Sequence, residues 1–445
     1  MAQSAPGIEK NTILGPFFRV SPLQLDVATQ YFAGPRTMDK GRIANSQSAL
    51  QMTLTAHQED LRDIINAFVR ASPVAKNKVL DWFAYIMNVN HKRRAMQVDP
   101  KAVSSDGFMV NVAVVLDYLC EPFTDNTFSK VDRIDIDYFR RSPRLDIKEE
   151  TKINADQAHS DAFYETKVGG DSNFISEVFF LCLAAHYYGS DAANAKLKTL
   201  DRDIKHFEKH IGMMETERLK FINQPDQLAY MDQMLAKYTK VLEDALSTKF
   251  AIQGLLLEKK MQSRSLQFMR CVTVWLLRVA SQTPYVPGRQ LKLPLPESQS
   301  EAYQCLPEYV LQIVVNNFKF VFRSLPDIVV SAVGEEMVTL CIAFLESSQY
   351  IKNPYIKASL VTLLYQGTWP IYHLKKGVLG DLLTNGDFAN DYLLHAVMQF
   401  YTECESTFSN IGFYDKFNIR YEIFQIIKCV WTNDHYKNQL TRASE

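Results

Sequence analysis

The chain has 445 residues, 47% of them apolar and 22% charged, with 49 Lys+Arg set against 50 Asp+Glu. With neither sign gathered into a long block, phosphate neutralisation has no basic face to work with, and nucleic-acid binding is not expected. The length exceeds one ordinary globular domain and suits either about three domains or one elongated repeat array.

In chain order, the first 30 residues show no charged stretch leading into an apolar core, so no secretory signal is visible. The basic patch "HKRR" at 91–94 is short. Residues 121–160 lack helical apolar spacing and read as a long loop, its aspartates at 132–137 as solvated charge without calcium-loop spacing. The longest charge-free apolar run, 178–190, is too short to span a bilayer, and no membrane insertion is expected.

From Leu200 a seam of Ile204, Phe207, Ile211 and Met214 alternates by three and four. It breaks at "NQPD", 223–226, and resumes through Leu228, Met231, Leu235, Tyr238, Leu242 and Ala245. Two such seams joined by a proline turn predict a long antiparallel helical hairpin near 192–264. Four prolines between 284 and 296 mark a loop or hinge at 283–298, with a loop between stacked helices favoured over a domain linker.

Helical stripes follow at Val329, Val333, Met337, Leu340 and Phe344, and at Phe417, Tyr421, Phe424, Ile427 and Trp431. Between them, Asn353 suits an N-cap and Pro354 the first helical position. Ile356, Leu360, Leu363 and Leu364 give that helix one apolar stripe, Gly367 can take a left-handed C′ conformation, and Pro370 forbids continuation. No run of alternating strands with tight turns appears. The fold class is all-α: an irregular armadillo/HEAT-like α-solenoid of stacked helix pairs, though without a clean sequence period.

Candidate chemistry is sparse. His206 and His210 in "HFEKH" stand one turn apart, but Glu208 is misplaced for a zinc protease and no third ligand is evident. Seven cysteines are scattered without a C-x-x-C, and Cys120, Cys182, Cys271, Cys341 and Cys429 sit in apolar helical runs. A dispersed, odd set argues for a reducing, intracellular setting. Cys404 is flanked by Glu403 and Glu405, and Cys305 has no basic neighbour, so neither has the electropositive surroundings a thiol nucleophile needs. No phosphate loop, nucleophile elbow or dinucleotide fingerprint occurs. No catalytic residue, metal site or cofactor is expected, and the bare reading is a helical binding scaffold.

Six stretches in order carry a resemblance: "TILGPFFRVSPL" (12–23), "KAVSSDGFMVNVAVVLDYLCEPF" (101–123), "SPRLDIKEETKINAD" (142–156), "NFISEVFFLCLAAHYYG" (173–189), "YIKNPYIKASLV" (350–361) and "FYDKFNIRYEIFQIIKCVW" (413–431). Together they resemble the central core of the ubiquitin-fusion-degradation U-box family, the ubiquitin-chain elongation factors, with residues 12–445 as its helical-repeat core. The resemblance implies an armadillo-type scaffold followed by a U-box, which recruits a ubiquitin-charged conjugating enzyme and extends chains on ubiquitinated substrates without a covalent relay. It further implies partnership with an AAA segregase ATPase and ubiquitin-like shuttle proteins, proteasomal degradation as the outcome, and residence in cytoplasm and nucleus. After Trp431 the sequence runs "TNDHYKNQLTRASE" and stops where that family continues toward its U-box, and the N-terminal variable region looks short. The expectation is a non-catalytic piece of a longer ligase; the alternative is a helical interaction or transport adaptor with no ubiquitin role.

Overall fold

The structure, a computed structural model, describes residues 4–332, 334–406 and 412–443. The longer helices are α1 (Lys40–Ala71), α2 (Pro73–Val89), α3 (Asp106–Cys120), α4 (Phe174–Ala185), α5 (Asp191–Arg218), α6 (Pro225–Leu256), α7 (Lys259–Ser281), α8 (Tyr309–Ser324), α9 (Glu336–Glu346), α10 (Pro354–Gln366), α11 (Asp387–Ser406), α12 (Phe413–Val430) and α13 (Asp434–Ala443). Pairing between strands is limited, among the described residues, to the isolated bridges Lys152–Pro307 and Ile371–Leu374. The all-α expectation is borne out. The chain divides into two compact units, residues 1–119 with 184–261, and 120–183 with 262–445.

In the first unit α5 and α6 form the expected hairpin, with Pro225 opening the return helix. Ile204, Ile211, Leu242 and Leu246 are its buried seam, flanked by Leu200, Phe207, Leu235 and Tyr238. Arg218 meets Asp232 beside the turn, while Asp201 meets Lys249 at 2.5 Å far from it, as antiparallel packing requires. α6 also packs on α1, and α1 on α2. Gln47 and Gln51 of α1 donate to the carbonyls of Phe250 and Gly254 at 3.0 and 2.7 Å, which fixes the register of that contact. Ahead of α1, Phe18 is buried edge-on to Trp82, Phe83 and Phe108.

In the second unit α8 packs on α10, α10 on α9 and α12, and α11 on α9, α12 and α13. Asn353 caps α10 by accepting from the Tyr355 amide at 3.0 Å, as its sequence position suggested. Gly367 differs from expectation: its φ is −65°, inside the right-handed region. The glycine is required for another reason. A Cβ there would lie 2.3 Å from Cδ1 of Leu379, so close packing and not handedness excludes a side chain.

The 329–344 stripe also needs correcting. It belongs to two helices, Pro326–Ala332 and α9, and Val333 lies outside the described residues. Val329, Met337, Leu340 and Phe344 are nevertheless all fully buried. The second correction concerns α12. Its core face is Ile419, Ile423, Ile426 and Val430, whereas Phe417, Tyr421, Phe424 and Trp431 are 44–60% exposed. Both sets recur by four and three, and the spacing alone cannot say which set is buried.

The segment expected as a loop from 121 to 160 is non-helical to Asp156 apart from single 3₁₀ turns, and a helix begins at Gln157. It is no solvated excursion. Phe123, Phe128, Val131, Ile134, Tyr138, Phe139, Leu145 and Ile147 are buried. Lys152 supports it from within, its ammonium donating to the carbonyls of Ile147 at 2.7 Å and Glu150 at 2.5 Å. Within 283–298, residues 291–295 bury every second side chain, Leu291, Leu293 and Leu295, and the Leu295 amide donates to Ser347 Oγ at 2.8 Å.

Candidate functional site

The residue types able to do covalent chemistry are placed where they cannot readily act. Cys120, Cys182, Cys271, Cys305, Cys341 and Cys404 are buried and Cys429 is half-buried. Burial pushes the Cys305 and Cys404 thiols up to about 11, in the second case with help from Glu403. A thiol relay needs the opposite, an accessible sulfur with a lowered pKa. His206 and His210 stack at 6.4 Å between ring centroids, and His210 meets the Tyr238 ring edge at 4.8 Å. Among the described residues no third donor joins them, so the pair reads as the flank of the hairpin seam.

The two arginines of the "HKRR" patch are internal wiring, while Lys92 is exposed. Arg93 is buried and its guanidinium donates to Tyr188 O at 2.5 Å, Ser104 O at 2.6 Å and Asp106 at 2.7 Å. Arg94 reaches Tyr187 O at 3.3 Å and Asp191 at 3.0 Å. The receiving segment, His186–Ser190, is a π-helical turn. Such a turn shifts hydrogen bonding to i→i+5 and breaks the regular carbonyl ladder; the two arginines take carbonyls from it. Within that turn Gly189 lies so near Met109 that a Cβ would be 2.8 Å from the Met109 carbonyl oxygen. Burial pushes the Asp106 carboxyl up, but Arg93 and Lys196, at 2.7 and 2.6 Å, outweigh it and hold the group at about 2.

Sequence reading missed the buried pair beside this clamp, His186 Nε2 to Asp117 at 2.7 Å. The only sequence signal was a histidine at the end of an apolar run. The aspartates of 132–137 are also less solvated than expected: Asp135 meets Arg141 at 2.5 Å and Asp137 meets Arg140 at 3.3 Å.

What the surface offers is contact. Tyr355 at the start of α10 is 54% exposed, facing α12 across a shallow groove. The groove, of about 270 Å³, has Asp415 and Glu422 among its lining. Glu422 accepts from Thr362 Oγ1 at 2.7 Å, and burial raises its pKa. At the hairpin tip Leu219, Ile222 and Tyr230 are each more than half exposed.

Paired helices with buried thiols, and polar residues spent on internal clamps, describe a helical framework. The family model of the ubiquitin elongating factor core matches residues 14–445. The chain belongs to that family. It is similar to the ubiquitin conjugation factor E4 of Schizosaccharomyces pombe, 37% identical over 99% of this chain and 44% of the relative. The E4 ubiquitin-protein ligase UFD2 of Saccharomyces cerevisiae is 30% identical over 98% of this chain and 48% of its own length. A probable ubiquitin conjugation factor E4 of Arabidopsis thaliana is 25% identical over 98% and 45%. The chain therefore spans less than half the length of these curated relatives. Two of the blocks that carried the resemblance hold polar residues in hydrogen bonds to distant parts of the chain or to buried neighbours: Ser104, Ser105 and Asp106 in the second, Asn353 and Lys357 in the fifth.

Proposed function

We propose that this chain is the helical scaffold of a ubiquitin-chain elongation factor and performs no bond-making itself. The observation that carries the reading is the family match over nearly the whole chain; the buried, high-pKa thiols agree with a scaffold and not with a covalent ubiquitin carrier. In this reading the transfer chemistry belongs to a U-box elsewhere in the protein, which engages the ubiquitin-charged conjugating enzyme. The helices hold the ubiquitinated substrate within its reach. Holding two reactants on one body raises their effective concentration without any new covalent step. An AAA segregase ATPase and ubiquitin-like shuttle proteins are the proposed partners, and cytoplasm and nucleus the proposed compartments.

A reconstituted chain-extension assay tests the reading. The 445-residue chain added to activating enzyme, conjugating enzyme and a monoubiquitinated substrate is expected to leave transfer at background. Supplied in excess to the full-length ligase, it is expected to compete for substrate and slow extension. Extension by the chain alone, or a thioester-linked ubiquitin that reductant removes, overturns the scaffold reading.

A further inference from the structure

α5 carries its apolar seam on one side and a row of cations on the side away from it. Lys198, Arg202, Lys205 and Lys209 step by four, three and four, the spacing that puts them on one helix face, and all four are exposed. Among the described residues no carboxylate lies within ion-pair distance of Lys198, Lys205 or Lys209, and Arg202 meets only Asp203, at 3.9 Å. Asp201, beside the row, is taken by Lys249 of α6 at 2.5 Å. The lysine and arginine of α5 outside the row are both paired, Lys196 with Asp106 at 2.6 Å and Arg218 with Asp232. The row runs about 17 Å at 1.5 Å per residue, about three turns.

Like charges four apart destabilise a helix, and two such pairs stand here, Lys198 with Arg202 and Lys205 with Lys209. The row is no by-product of a basic protein, since the whole chain has 49 Lys+Arg against 50 Asp+Glu. α5 packs on α6 through the seam at Ile204 and Ile211, which leaves the row outside that contact. The row is also narrow. Around the helix Asp201 and Glu208 border it on one side and Asp203 on the other. A bilayer or a duplex brings phosphates over these acidic borders as well as over the row, whereas a single acidic segment meets the cations alone.

We propose that this row docks an acidic peptide segment of a partner protein, which lays a line of Asp or Glu side chains along Lys198, Arg202, Lys205 and Lys209. Opposite charge at matching intervals speeds encounter and sets register. Each exposed pair is weak, and salt screens it over about 8 Å at physiological ionic strength. The contact is therefore transient and salt-sensitive. The inference does not depend on ubiquitin transfer, and its test is independent of the chain-extension assay.

The probe is a fluorescein-labelled, 16-residue alanine-based peptide with glutamates recurring by four and three along one face. A control peptide has glutamine at those positions. Anisotropy titration with the 445-residue chain in about 50 mM salt is expected to give saturable binding, at least tenfold tighter than the control, that weakens at least tenfold in about 300 mM salt. Lys205→Gln with Lys209→Gln, at exposed sites where losing like charge leaves the melting temperature unchanged or higher, is expected to weaken binding at least fivefold. Lys292→Gln with Lys352→Gln, which removes the same charge from exposed sites off the row, is expected to change it less than twofold. The full-length ligase is expected to bind the peptide as the 445-residue chain does. No saturable binding, equal loss in the two double variants, or a full-length protein that does not bind overturns the proposal; in the last case the row is covered from within its own polypeptide. Tighter binding of a 16-base-pair DNA duplex or of phosphatidylserine vesicles that depends on Lys205 and Lys209 also overturns it and assigns the row to that polyanion.

Discussion

At the scale of single residues, Arg93 shows how a surface-looking basic patch becomes a structural bolt. It brings together the turn after α2, the start of α3 and the π-helical turn ahead of α5 through three hydrogen bonds. Removing one member of a buried pair costs about 3–5 kcal/mol because its partner is stranded. Lys196 still reaches Asp106, so Arg93→Ala is expected at the lower end, about 3 kcal/mol by urea denaturation. The same contact predicts a pH dependence. The Asp106 carboxyl is held at about 2 against an ordinary 3.8, so on acidification the unfolded chain takes up the proton first. Its stabilisation is complete above about pH 4 and is lost as pH falls toward 2. Without Arg93 the carboxyl rises, and the acid transition followed by circular dichroism moves to higher pH. Coincident acid transitions for the two proteins would sink this account.

At the scale of elements, periodicity was enough to read the α5–α6 hairpin, because only one stripe on each helix is apolar and the proline turn is unambiguous. It was not enough for α12, where two stripes share one spacing. Aliphatic Ile419, Ile423, Ile426 and Val430 went inside and the larger aromatics stayed out. Neither was it enough at 329–344, where a break between two helices preserves the apparent spacing. Gly367 separates local from tertiary causes most cleanly. Helix propensity alone says that replacing glycine by alanine gains up to about 1 kcal/mol. The Leu379 side chain says the reverse, since the new methyl would sit 2.3 Å from its Cδ1. Overpacking of this kind costs about 1–3 kcal/mol, so Gly367→Ala is expected to lower the denaturation midpoint. A variant as stable as the parent, or more so, would mean that Leu379 moves aside freely.

At the scale of the molecule, the sequence was most legible where it concerned class and least where it concerned contacts. Helical stripes on segment after segment implied paired helices, and six ordered blocks implied the family; neither could reveal which polar residues in the blocks are hydrogen-bonded clamps, because partners such as Ser105 and Glu9 are 96 residues apart. The same burial makes a prediction about all seven thiols at once. Six are buried and Cys429 alone is partly open, with its pKa raised. A thiol reacts through its thiolate and only when reached, so modification of the six should require local or global opening of the helices around them. At neutral pH, Ellman's reagent is expected to modify at most Cys429 quickly, and the rest together as urea crosses the unfolding midpoint. Each of the six then reports on the helix that holds it, and their common onset measures how far the packed helices of its unit open as one. Rapid reaction of two or more thiols in native buffer would show that the helices around them open without unfolding. It would also return Cys305 and Cys404 to consideration as nucleophiles.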